Sequence, residues 1–98
     1  MKIQTPVQSI GSTLEERGTK YGAFSCNADI SQKIKDILRA SPSWCTLSYD
    51  KREAMEMIAH KLARILNGDP EYVDSWHDIS GYATLIVNDL EHAIVDSV

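Results

Sequence analysis

Ninety-eight residues, 24% of them charged and with a formal net charge of −4, fit one domain spanning 1–98 with no linker to divide it. The ten basic residues are scattered from Lys2 to Arg64, which argues against duplex nucleic acid or a membrane surface held by bulk charge. No apolar run approaches the roughly 20 residues of a membrane-spanning helix, the first residues lack a secretory pattern, and Cys26 and Cys45 lack metal spacing, so a reduced, cytoplasmic protein is expected.

In chain order, residues 1–11 read as an irregular lead-in around Pro6 and Gly11. Ser12 or Thr13, followed by Glu15 and Glu16, predicts a short helical turn that stops at Gly18. The segment 16–24, with two glycines and two aromatics, reads as an ordered loop that either plugs the end of a bundle or touches a ligand. Asn27 or Asp29 can cap a helix reaching Arg39 or Ala40, whose apolar stripe is Ile30, Ile34, Ile37 and Leu38. Ser41-Pro42-Ser43 ends it, and Trp44, Cys45 and Leu47 form a compact, buried link.

A second long helix is expected from about Asp50 to Leu66, stopped by Asn67-Gly68-Asp69-Pro70. A third runs from Val73 or Asp74 to near Asp96, with Trp76, Ile79, Ala83, Ile86, Val87, Leu90 and Ile94 keeping helical period. The fold class is therefore all-α: a small bundle of three long helices plus a short N-terminal turn, with dimerisation able to complete a four-helix core.

Rotation at about 100° per residue places Lys61 and Arg64 on one flank of the second helix. Asp74, Asp78 and Tyr82 fall on a flank of the third. Antiparallel pairing matches Arg64 with Asp74 and Lys61 with Asp78 in height. Two readings stay open: surface ion pairs that zip the hairpin, or a site where the carboxylates hold magnesium and the bases meet phosphate. Glu56 and His60 fall opposite the apolar centre and read as a solvated face, Trp44 and Trp76 as core, and Gly81 as a point of close approach.

Three segments also carry a resemblance: 16–24 (ERGTKYGAF), 61–66 (KLARIL) and 74–82 (DSWHDISGY). Together they resemble small phage-encoded helical proteins and, more distantly, the MazG-type all-α nucleoside triphosphate pyrophosphatases. That family's acids come as E-E-x-x-E on one helix and E-x-x-D on the next, and this chain offers only Glu53-Ala54-Met55-Glu56 and the wider Asp74-Ser75-Trp76-His77-Asp78. The resemblance implies a nucleotide-handling protein in the cytoplasm of a bacterial host, with Glu53, Glu56, Asp74 and Asp78 toward Mg2+, Lys61 and Arg64 toward phosphate, and Tyr21 or Tyr82 toward the base. Apart from the resemblance, a chain this short has little burial to spare, and a homo-oligomer would relieve that margin. The alternative is a protein without chemistry that sequesters a nucleotide signal or blocks a host defence protein.

Overall fold

The computed structural model describes residues 6–96, with side chains from Ile10 to Ala93. Those residues are all-helical: α1 (Pro6–Tyr21), α2 (Phe24–Ala40), a 3-10 turn (Trp44–Thr46), α3 (Tyr49–Asn67) and α4 (Val73–Asp96). Among them no helix is long and apolar enough to cross a membrane.

The hairpin of α3 and α4 forms where its periodicity predicts. Ser48 sits in extended backbone at the start of α3, its hydroxyl donating to Asp50 Oδ1 at 2.5 Å. At the other end Gly68 N–H donates to Arg64 O at 3.0 Å, and Pro70 keeps the helix from continuing. Arg52 clamps the preceding link, donating to Trp44 O at 3.2 Å and Cys45 O at 3.0 Å. The link is compact as expected, but Cys45 is exposed and Trp44 only half-buried.

The N-terminal third differs from its expectation. Residues 6–11 are helical rather than irregular, and the turn that was to stop at Gly18 is a 16-residue helix running through it to Tyr21. Nothing lies within 4 Å of a Cβ built at Gly11 or Gly18, so neither glycine is required by contact. The expected loop at 16–24 shrinks to a tight turn at Gly22 and Ala23, and α2 starts at Phe24 with Ala23 at its N-cap. Asn27 therefore sits inside α2, buried, instead of capping it.

Two glycines make the turn fit. Gly22 adopts φ +79°, a left-handed conformation that side chains disfavour, and a Cβ there would strike Asn67. A Cβ on Gly68 would strike the Lys20 carbonyl and Tyr21 backbone. Asn67 Nδ2 donates to Tyr21 O at 2.9 Å and Ala23 O at 3.1 Å, and Asp69 N–H donates to Lys20 O at 2.7 Å. The end of α1 is thereby fastened to the end of α3.

Packing is thin. α3 is central, with α2 against one side and α4 against the other, and α1 touches it only lightly. The covered positions are mostly small: Asn27 and Ser31 on α2, Ala54, Ala59 and Ala63 on α3, Ser75 on α4. No large side chain among the described residues is fully buried. Trp76, expected in the core, is 52% exposed, its indole N–H donating to Pro70 O at 2.8 Å.

Candidate functional site

Lys61 and Asp78 meet as their register requires, Nζ to Oδ2 at 3.0 Å. The lysine side chain is 11% exposed and the aspartate 49%, so the pair lies at the hairpin's edge. The ammonium's hydrogen bond, then its charge, holds the Asp78 carboxyl below the ordinary carboxylate value. Arg64 takes a different partner from the one expected. Its guanidinium lies over the Tyr21 ring, 4.2 Å from the centroid. Asp74 instead accepts from the Tyr72 hydroxyl, whose pKa is pushed up to about 12, first by that hydrogen bond.

The aromatic stack continues outward. Tyr21 and Tyr72 stand with centroids 5.8 Å apart and rings tilted by 55°, and Lys20 Nζ lies 4.9 Å from the Tyr72 centroid. Two adjoining rings, Tyr72 and Tyr21, are flanked by the cations Lys20 and Arg64, across the junction of α1, α3 and the loop before α4.

Behind Tyr21 opens a cavity of about 530 Å³, lined by Leu14, Arg17, Tyr21, Phe24, Asn27, His60 and Arg64 together with the turn at Gly22. Its size falls within the range of small-molecule sites, and its walls combine apolar surface with a few converging polar groups. Three of those groups are basic or titratable: Arg17 from α1, and His60 and Arg64 one turn apart on α3. His60 is therefore not on the solvated face expected for it. Burial first, then the charges of Arg64, Lys35 and Lys61, lowers its pKa from the ordinary 6.5. Asn27 is 5% exposed, and its Oδ1 has no hydrogen-bond partner among the described residues.

The carboxylates expected to hold magnesium stand apart. Glu53 is exposed, and Glu56 reaches toward α2, where Arg39 Nε donates to Oε1 at 2.6 Å. Asp78 belongs to Lys61 and Asp74 to Tyr72. Among the described residues no three His, Cys, Asp or Glu side chains come together as a metal site. Tyr82 lies away from the cavity, with His77, Asp78 and Gly81 in an open groove along α4. Nothing lies within 4 Å of a Cβ built at Gly81, so the close approach expected there is not found within the chain.

Of the expected site residues, Lys61 and Asp78 are brought together as an ion pair, and Tyr21 and Arg64 at the cavity. Arg17, Asn27 and His60 were missed as site members, because sequence spacing within single helices does not reveal that α1, α2 and α3 converge. Arg17 lay inside the segment 16–24, and its neighbourhood to Tyr21 was the available signal. No family model matches the chain, and comparisons with curated proteins and with solved structures also give no match.

Proposed function

We propose that this protein binds a phosphorylated, nucleotide-like small molecule in the cavity between α1, α2 and α3. The observation that carries the reading is the convergence of Arg17, His60 and Arg64 around one 530 Å³ cavity whose wall includes the Tyr21 ring. Arginine forks suit phosphate oxygens, and the aromatic walls suit a base. Segments 16–24, 61–66 and 74–82 resemble small phage proteins that in turn look distantly like MazG-type pyrophosphatases, and that distant likeness supports the same ligand class.

Binding is favoured over hydrolysis, because Glu53, Glu56, Asp74 and Asp78 are dispersed or paired within one chain and no metal-assisted step follows from their arrangement. The biological role in keeping with binding alone is sequestration of a nucleotide signal. Isothermal titration against nucleoside mono-, di- and triphosphates, with and without magnesium, tests the reading. Saturable binding that Arg64→Gln weakens about tenfold or more is the expected result, since one lost charge-assisted contact is worth roughly 1.5–3 kcal/mol. No heat from any nucleotide at millimolar concentration would refute it. Pyrophosphate release, followed by chromatography in the same samples, would move the protein to the hydrolases.

A further inference from the structure

The described chain is far from compact. Its radius of gyration is 17.5 Å, with extents of 63 × 32 × 24 Å. Packed domains of this length have a radius of gyration near 13 Å. Helices bury their stripes by forming at least two layers, yet the α3–α4 hairpin forms one layer with a face left open.

Which face is open follows from helix rotation. On α4, Ser75, Ile79, Tyr82 and Ile86 are the covered or half-covered positions, and they form the stripe against α3. About 90° away lies a second stripe of Val73, Trp76, Ser80, Ala83, Val87 and Leu90, spaced three and four apart and free of charge. All six are exposed; Val87 and Leu90 are 49% and 47% exposed. On α3, Met55, Leu62 and Leu66 are exposed in the same way, about 90° from the side that meets α4. Because the two helices are antiparallel, these rotations carry both stripes to the same face of the hairpin. Lys61, Arg64 and Asp78 fall on the opposite face.

We infer that this apolar face is covered by the same face of a second copy of the chain, giving a four-helix bundle across a two-fold axis. Three features select a second copy over another partner. The α4 stripe is symmetric in size, with large residues at both ends and small Ser80 and Ala83 at its middle. An antiparallel copy sets small against small at the crossing and places Trp76 opposite Val87 of the partner subunit. Asp74, Asp78 and Asp89 lie on the far side of α4, and Glu91, which shares the rotation of Val73 at the stripe's edge, falls opposite Tyr72 of the partner subunit in an antiparallel copy, so two acidic chains meet there without facing carboxylates. Finally, an added hairpin supplies the second layer that the described chain lacks.

Sedimentation velocity from about 1 to 500 μM tests this on the intact protein. Wild type is expected to reach twice the 11.0 kDa of one chain. Val87→Glu should remain at one chain mass with its helical circular dichroism kept. Leu85→Glu should still dimerise, because Leu85 is 61% exposed but lies opposite the stripe. A second measurement covers the case in which Val87→Glu fails to fold. In a Trp44→Phe protein, acrylamide quenching of Trp76 should fall several-fold as concentration rises through the dimerisation range. Wild type remaining at one chain mass throughout, Leu85→Glu dissociating like Val87→Glu, or Trp76 quenching independent of concentration would each overturn the inference.

Discussion

His60 has the most to report about the cavity at the level of single residues. Because burial and neighbouring cations lower its pKa, the unfolded chain takes up this proton more readily than the folded one does. Stability from this group is therefore full above the ordinary value of 6.5 and declines as pH falls through the window below it. Thermal melts between pH 7.5 and 5 should show that decline, and His60→Gln should flatten it. A bound phosphate would reverse the local field that Arg64, Lys61 and Lys35 impose. Calorimetric titrations near pH 6.5 in two buffers of different ionisation enthalpy should then show proton uptake on binding, and His60→Gln should abolish it. Gly22 offers a second test at this scale. Gly22→Ala places a side chain in left-handed backbone and against Asn67, so it should cost at least about 1 kcal/mol, read by urea denaturation.

Among the helices, the most informative pair is Lys61 with Asp78, which joins α3 to α4 at one height. The two halves of that bond are unequally covered, and the partners should respond unequally to mutation. Asp78→Asn leaves a covered ammonium without its counter-charge, whereas Lys61→Met removes the charge and keeps an apolar stem. The melting temperature should fall more for Asp78→Asn than for Lys61→Met. Both differences should shrink as pH drops through the lowered Asp78 pKa, where the wild-type pair itself is lost.

The same scale explains what could be read in advance. α3 and α4 carry 3.6-residue apolar periods and a strong stop at Asn67-Gly68-Asp69-Pro70, so their bounds, and the facing of Lys61 with Asp78, followed from local pattern. α1 also spaces Val7, Ile10, Leu14 and Tyr21 at helical intervals, but Pro6, Gly11 and Gly18 interrupt them with residues that read as breakers, so the helix is hidden in the sequence. Arg64 was assigned to Asp74 because only α3 and α4 were being rotated against each other. Tyr21 arrives from α1, carried in by hydrogen bonds that span more than forty residues of sequence.

For the whole molecule, the long shape, the small covered residues and the apolar face of the hairpin all fit the inferred second copy. Stability should consequently depend on protein concentration. Thermal midpoints should rise as the concentration is raised a hundredfold, and Val87→Glu should remove the dependence.

The grip of Asn67 on the Tyr21 and Ala23 carbonyls has a consequence for ligand affinity as well. Those two hydrogen bonds hold one end of α1, and Arg17 and Tyr21 reach the cavity only while that end is docked. The cavity is then a property of a population, and the apparent dissociation constant equals the intrinsic one divided by the docked fraction. Asn67→Ala, which removes the grip without removing a cavity-lining side chain, should speed amide exchange in α1 in proportion to the undocked fraction and weaken binding in proportion to the loss of the docked one. A ligand would close the latch by mass action, and α1 would measure its occupancy.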